Sequence, residues 1–385
     1  MIDTASPNSN GFSPDEMRSL NQLAVSGLVS MFDSERKLFC RRLVRTPQGL
    51  LREGPSRRYT LISVLGLQGR ESSGERCPLD TRLILAGLLQ DTRWLSNLGD
   101  LGLLLWACAE AGPEFSARAH SSFDLEHSLR AFREGRRACT MELAWFLAGI
   151  SHLHLAGQDH LRDIATRTYE LLKQNQGDFG LFGHLAEKRS FFGLMRGRVG
   201  SFADQIYSVY ALAKFAQSFD ARKASERALD CALTLCELQG PLGQWWWHYD
   251  AATGKVLSRY PVFSVHQYAL APMALFALGE AAQSDFRVWI HKGVRWIFGD
   301  NELEHDLRDF SANVIWDSLR RRDGLRHLRP ALEVLSVGED TRPHKELAPV
   351  WECSPDQLGW LLFAWAGESR RARDCRLQAG SSRTA

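Results

Sequence analysis

The chain has almost no surplus charge to offer a polyanion: 47 basic residues face 45 acidic ones across 385 positions, a balance of +2. Long hydrophobic runs are also missing. No stretch approaches the roughly 18 uninterrupted apolar residues of a membrane span, and the longest, such as Leu101–Ala109, read as buried helix. Met1–Asn10 is polar and carries Asp3, where a secretory signal needs a basic start and an apolar core. The eight cysteines form no CxxC pair and scatter through apolar text, so reduced core thiols and a cytoplasmic location are expected. GxGxxG, Walker A, HExxH and EF-hand patterns are absent, so neither a nucleotide cofactor nor a metal is expected. Lysine is scarce, with 8 against 39 arginines, and runs such as Arg320–Arg322 and Arg370–Arg376 read as solvated surface rather than nucleic-acid contacts. Tyrosine is scarce as well: 7, against 12 tryptophans and 20 phenylalanines. What remains, 44% hydrophobic and 24% charged residues, excludes a disordered chain.

Strand-like text is confined to the first part, where Lys37–Arg45 and Arg57–Leu67 carry β-branched and aromatic residues between proline and glycine breaks. From about Thr81, apolar residues recur at helical spacing almost to the end. The helices come in pairs. First members are apolar on all sides: Asp100–Gly112, Thr140–Gly157, Ala203–Phe219 and Val265–Ala282. Second members are amphipathic: His160–Gln174, Ala221–Leu238 and Asp285–Phe298. A last apolar helix, Asp356–Gly367, follows a longer insertion, and the earlier apolar helices end at steps of 45, 62 and 63 residues. A helix apolar all round must be buried on every side, whereas an amphipathic one can face solvent. Alternating the two builds an inner and an outer ring with one shared core. The expected fold is all-α, an α/α toroid of helical hairpins with a small β-containing N-terminal extension; an open α-solenoid is the competing arrangement. The expected division is 1–80 for the extension, 81–368 for the toroid and 369–385 for a basic tail.

Loops after the amphipathic helices share a signature. Glu170–Phe179 and Thr234–Trp246 each carry leucines, then Gln174 or Gln176 (Gln239), then Gly177 (Gly243), then Phe179 (Trp245). This resembles the QW repeat of squalene-cyclase-like proteins, in the terpenoid cyclase and protein prenyltransferase α/α-toroid superfamily. The resemblance implies that the glutamine caps helix ends and the aromatic stacks nearby. The DxDD acid motif of the terpene cyclases is absent, since Asp306 and Asp309 have the wrong spacing, and no zinc-ligand context of the prenyltransferases appears. Gly243–Tyr260 and Pro261–Met273 are closer in character to (α/α)-barrel carbohydrate enzymes: glycoside hydrolases, sugar epimerases and polysaccharide lyases.

Each apolar helix begins with polar residues: Glu142, Asp204-Gln205, His266-Gln267 and Asp356-Gln357, with Asn97 and Asp100 as a first counterpart. Glu142, Asp204 and His266 lie 15, 15 and 16 residues before their helix ends, which places them at one end of the ring. Free N–H groups and helix dipoles add positive potential there; helix capping is the alternative role for the aspartates. Trp245, Trp246, Trp247, His248 and Tyr249 form the densest aromatic cluster. In extended chain, alternation would put Trp245, Trp247 and Tyr249 on one face and Trp246 and His248 on the other. Acid–base candidates are Asp204, Tyr207, Tyr210, His248, Tyr260, His266, Tyr268, Glu352 and Asp356. Asp204 with Asp356 would suit a glycoside hydrolase; His266 with Tyr260 or Tyr268 would suit an epimerase or lyase. Gly193–Gly200 reads as a flexible rim loop and Glu302–Asp309 as a solvated one.

The leading expectation is a carbohydrate-active toroid enzyme acting on a small-molecule or oligosaccharide substrate. Asp204, His266, Tyr260 and Asp356 would be catalytic. Gln205, Tyr207, Trp245, Trp246, Trp247, His248, Gln267, Tyr268 and Glu142 would bind substrate. A non-catalytic glycan- or protein-binding toroid and a terpenoid cyclase-like enzyme are the alternatives.

Overall fold

A computed structural model describes residues 12–134, 139–185, 197–322 and 346–367. The basic tail and the first half of Gly193–Gly200, residues 193–196, lie outside the described residues. In chain order the helices are α1 (Pro14–Met31), α2 (Arg57–Ser72), α3 (Thr81–Gln90), α4 (Leu98–Glu110), α5 (Pro113–Ser122), α6 (Leu125–Glu134), α7 (Thr140–Leu155), α8 (Arg162–Lys173), α9 (Phe202–Phe219) and α10 (Arg222–Glu237). They continue with α11, which opens as a π-helical turn (His266–Leu270) and runs on through Ala271–Ala282, then α12 (Arg287–Arg295) and α13 (355–367). Helices α2, α4, α7, α9, α11 and α13 are buried along most of their length and form the inner ring. Outside them α3, α6, α8, α10 and α12 bury one stripe only. No helix of the described residues is long and apolar enough to cross a membrane.

The ring is closed. Around it, Gln68 Nε2 of α2 donates to Ala107 O of α4 (3.2 Å), Ser218 Oγ of α9 to Ser151 O of α7 (3.1 Å), and Trp365 Nε1 of α13 to Tyr268 O of α11 (2.8 Å). Closure between the last helix and the first rests on glycine. A Cβ on Gly66 would fall 2.1 Å from Gly359 O, and one on Gly149 would fall 2.2 Å from Gly102 O, so these helices meet backbone to backbone. The middle of the ring is plugged. Trp106 lies nearly parallel to His152 and Tyr210, with centroids 4.8 and 4.7 Å away, and Phe363 and Trp360 close around it. Tyr210, an acid–base candidate by sequence, is therefore part of the plug, with its hydroxyl 2.9 Å from His152 Nε2.

Two readings of the sequence need correction. Arg57–Leu67 was expected as strand and is the inner helix α2. Its β-branched and aromatic residues suit a helix buried from Thr60 to Gly69, and Ser56 caps it by accepting from Tyr59 N–H. The ring therefore takes in a helix that begins before residue 81. Strands are likewise not confined to the first part. The N-terminal strands β1 (Phe32–Asp33), β2 (Leu38–Thr46) and β3 (Gly49–Pro55) are followed by β4 (Val199–Ser201), β5 (His248–Asp250), β6 (Lys255–Ser258), β7 (Val262–Phe263), β8 (Arg308–Asp309), β9 (Val314–Ile315), β10 (Ser318–Arg321), β11 (Leu347–Val350) and β12 (Glu352–Cys353). All are short pieces of the loops that enter inner helices. β12 pairs antiparallel with β2, Glu352 opposite Val44, which stitches the extension to the last hairpin.

Overpacking a backbone contact forces helices apart at a cost of about 2–3 kcal/mol. Gly66→Ala and Gly102→Ala are each expected to lose that much stability in urea unfolding. Gly87→Ala on the outer helix α3, where a Cβ meets nothing within 4 Å, is expected to gain up to about 1 kcal/mol from helix propensity. Equal effects at the inner and outer sites would show that closure does not depend on these crossings.

Candidate functional site

All six inner helices start at the same end, and their first turns form a mouth above the aromatic plug. Ser56, Asn97 and Ser201 cap α2, α4 and α9 by accepting from Tyr59, Asp100 and Asp204 N–H. Of the residues found by their equal offsets, Asp204 shares in this capping as the N3 partner of Ser201, whereas Glu142 and His266 do not. Several also do more.

On one side stands Asp356, at the start of α13. Its Oδ1 is buried and has no hydrogen-bond partner. Burial pushes this carboxyl up to about 6, and the neighbouring Asp317 adds to the rise. Burial also raises Asp317, which accepts from Gln357 Nε2 (2.5 Å) and Ser318 Oγ (2.9 Å). Three phenols face this carboxylate. Its negative charge, with burial, lifts Tyr59 to about 12; burial first and then the same charge raise Tyr207; Tyr268, buried with an unpartnered hydroxyl, is raised by burial, Cys353 and the two aspartates. Tyr207 also meets Trp145 edge-on at 5.1 Å, and the indole N–H of Trp145 is unpartnered too.

Arg58 joins the two sides. It donates to Asp100 Oδ1 at 2.5 Å and lies 5.8 Å from the Trp145 ring. Glu142, half-buried on α7, is raised by burial; Arg58 opposes the shift and Asp100 reinforces it. A cleft of about 470 Å³ opens here, lined by Arg41, Arg57, Arg58, Tyr59, Trp94 and Asp100 among others. Two of its arginines are paired there, Arg57 with Asp91 and Arg58 with Asp100.

On the far side, Asp204 Oδ2 accepts from Ser201 N–H and Oγ at 2.8 Å each and from His184 Nδ1 at 3.0 Å. Hydrogen bonds to Asp204 and Cys139 hold His184 protonated up to about 10 against the opposing effect of burial. His248, beside this pair, is pushed down to about 4 by burial. Next to it Trp247 lies 4.7 Å from Phe263 and nearly parallel to His266 at 6.0 Å. His266 is buried among these rings, pushed down to about 3, with Nδ1 unpartnered.

The mouth thus gathers Glu142, Asp204, Tyr207, Trp247, His248, His266, Tyr268 and Asp356. The other sequence candidates are absorbed into the frame. Gln205 brackets Phe182, accepting from its N–H (2.6 Å) and donating to its carbonyl (2.7 Å). Gln267 brackets Trp245 in the same way, at 3.1 and 3.4 Å. Trp245 and Trp246 are buried, and Trp246 Nε1 donates to Leu238 O. The expected alternation fails because this segment is irregular: Trp247 and His248 are both half-buried side by side while Tyr249 is fully buried. Tyr260 is spoken for. Its hydroxyl donates to Glu302 at 2.7 Å, and Glu302 also accepts from Gln244 and Trp296, so this residue is a packed hub rather than part of a solvated loop. Among the described residues no group of three or more His, Cys, Asp or Glu side chains is arranged to hold a metal ion.

Arg58, Tyr59, Cys139, His184 and Asp317 were not singled out by sequence. For three of them a signal existed. Arg58 and Tyr59 sit on the helix misread as strand, and His184 follows the bracketed Phe182 by two residues, as Trp247 follows Trp245.

No family model and no curated protein matches this sequence. Solved structures do. A cellobiose 2-epimerase from Bacillus thermoamylovorans is 10% identical with a TM-score of 0.64, over 92% of this chain and 98% of that one. A possible member of the GH105 family from Klebsiella pneumoniae is 13% identical with a TM-score of 0.61, over 96% of each chain. An unsaturated glucuronyl hydrolase from Streptococcus agalactiae is 10% identical with a TM-score of 0.58, over 93% of each chain. At such identities the likeness is one of fold: over nearly its whole length this chain is an α/α toroid.

Proposed function

We propose that this chain is a carbohydrate-active enzyme working by acid–base chemistry at the mouth of the ring, with Asp356 as the group that carries the proton. The observation that carries the reading is the unpartnered, buried Oδ1 of Asp356, on a carboxyl kept protonated to about 6. A buried polar atom without a partner costs roughly 1–3 kcal/mol, and a hydroxylated ligand would supply the missing bond. Tyr268 Oη offers a second such contact, Trp247 an apolar face for a sugar, and Arg41 a cation in the neighbouring cleft for an acidic one. The solved structures of similar fold include hydrolases and epimerases of sugars, which supports the same class. Hydrolysis fits better than epimerisation. Asp356 is a proton donor below about pH 6, whereas burial leaves His266 a very weak base. Asp204 holds His184 rather than facing substrate, so its part is positioning. The polar mouth gives a prenyl carbocation little apolar lining, which disfavours the cyclase alternative raised by the repeat loops.

Two outcomes test this. Against a panel of neutral and uronic-acid oligosaccharides, turnover is expected, falling as pH rises through about 6 because the protonated acid is lost. Asp356→Asn is expected to lower kcat about 100-fold or more while retaining binding. Binding without turnover by the natural chain, or an undiminished rate in the variant, would overturn the reading. The second outcome is a stability change. A carboxyl raised in the folded state favours folding below its unfolded pKa and loses that contribution as pH rises through the folded value. Asp356→Asn is therefore expected to stabilise the fold above pH 7 by up to about 3 kcal/mol, with the gain vanishing below about pH 4.

A further inference from the structure

Cys139 occupies, on α7, the N-cap position that serine or asparagine fills on α2, α4 and α9, yet it makes no capping bond. Its sulfur lies instead 3.8 Å from His184 Nε2. The opposite ring nitrogen of His184 faces Asp204, 1% exposed and locked by Ser201. Thiol, imidazole and carboxylate stand in series. The backbone sets this order: Thr140 N–H donates to His184 O at 2.9 Å, Cys139 and Leu185 form a β-bridge, and Asn175 Nδ2 donates to Thr140 Oγ1 at 3.0 Å. The His184 side chain stays 37% exposed, so the series opens to the mouth.

We propose that Cys139, His184 and Asp204 form a nucleophilic triad at the mouth, with Cys139 Sγ as the attacking atom and acyl esters as the substrate class. Imidazole between a thiol and a carboxylate is the arrangement that acyl transfer requires, because one nitrogen must serve the sulfur and then the leaving oxygen while the other is held in orientation. Attack proceeds from the ion pair in which the proton sits on His184 Nε2 and the sulfur is a thiolate. The thiolate adds to the ester carbonyl carbon, a C–S bond forms, and the C–O bond to the alcohol breaks as His184 Nε2 passes its proton to the departing oxygen. Neutral His184 then takes a proton from water. The hydroxide adds to the thioester carbon, the C–S bond breaks, and the thiolate–imidazolium pair is restored with one carboxylic acid released. Asp204 is a positioning residue: it keeps Nδ1 protonated and Nε2 turned to the sulfur.

The charges facing the thiol are few. The protonated His184 and the N-terminus of α7 favour the thiolate. Glu142, one turn along the same helix and in contact with Cys139, opposes it. His248, from the neighbouring strand, is kept neutral by burial. This chemistry is separate from proton donation by Asp356, and its test reads the thiol rather than sugar turnover, so either can fail without the other.

Iodoacetamide alkylation of the full chain across pH 5–10, mapped by peptide mass, tests it. Cys77 serves as an internal reference, because it is also partly exposed and burial raises its thiol. Cys139 is expected to react on a plateau reached below pH 7, and at pH 7 roughly tenfold faster than Cys77. His184→Gln is expected to return its profile to the ordinary thiol range, and Asp204→Asn to do so in part. With p-nitrophenyl acetate, acid quenching is expected to trap an acetyl group on the peptide bearing Cys139, lost in Cys139→Ser. A Cys139 profile in the ordinary thiol range, a profile unmoved in folded His184→Gln, or no acetyl group on Cys139 would each overturn the triad. The natural chain and Cys139→Ser decide the question even if the His184 variant fails to fold.

Discussion

Six helices with no side facing water can be stable only against one another, so everything else here depends on how closely their backbones meet. Gly66 against Gly359 and Gly102 against Gly149 bring carbonyl oxygens to where a Cβ would stand. That closeness leaves a central channel filled by the Trp106 stack and its neighbours. The plug stops the channel from being a pore. At the end where the helices begin, their free N–H groups raise the potential and their caps supply polar side chains.

The loops that carry the chain from outer to inner helix keep a strict register. Gln176 Nε2 donates to Gly180 O and, across to α10, Arg227 O; 63 residues later Gln239 donates to Gly243 O and, across to α12, Trp289 O. Gly180 and Gly243 both take the left-handed φ, +78° and +92°, against the backbone of the next outer helix. The aromatic that follows each by two residues, Phe182 or Trp245, is clamped by a glutamine from the inner helix. Two residues further on the repeat becomes variable. In one copy His184 bonds Asp204; in the next, Trp247 lies over His266. A single scaffold thus presents an ionic pair and an aromatic pair at equivalent places around one mouth.

That register explains what could be read from the residues alone. Full apolar coverage of α4, α7, α9 and α11 announced the inner ring, and the equal offsets of Glu142, Asp204 and His266 placed them at one end. The glutamine–glycine–aromatic signature was found, but three residues early in the first copy: Gly177 and Phe179 were chosen where Gly180 and Phe182 are the structural equivalents, because the loop holds two glycines and only one adopts positive φ against the next helix. Helix α2 was missed because its β-branched and aromatic residues answer to burial on every side, which overrides local preference. His184 could be placed only through the register of its repeat loop, and Cys139 and Asp317 not by spacing at all. Their roles come from contacts made across 20 to 45 residues of chain, which no local pattern records.

Among the described residues ten buried side-chain atoms lack a hydrogen-bond partner, and five of them belong to Trp145, His266, Tyr268, Asp356 and Gln357. These five residues lie in the opening turns of α7, α11 and α13. Nothing in the packing demands polar atoms there: phenylalanine at 268 or at 145 would fill similar space without an orphaned donor. The caps of α2, α4 and α9 show that the same chain supplies side-chain acceptors to helix N-termini at this end. A toroid whose sole task was to hold its shape would gain by removing such atoms, since each costs about 1–3 kcal/mol. Their concentration at the end where the inner helices begin, opposite the bonded Asp204–His184 pair, is what a hydroxyl-rich ligand would complete. The mouth therefore leaves polar atoms unbonded on one side and holds Asp204 and His184 by several hydrogen bonds on the other.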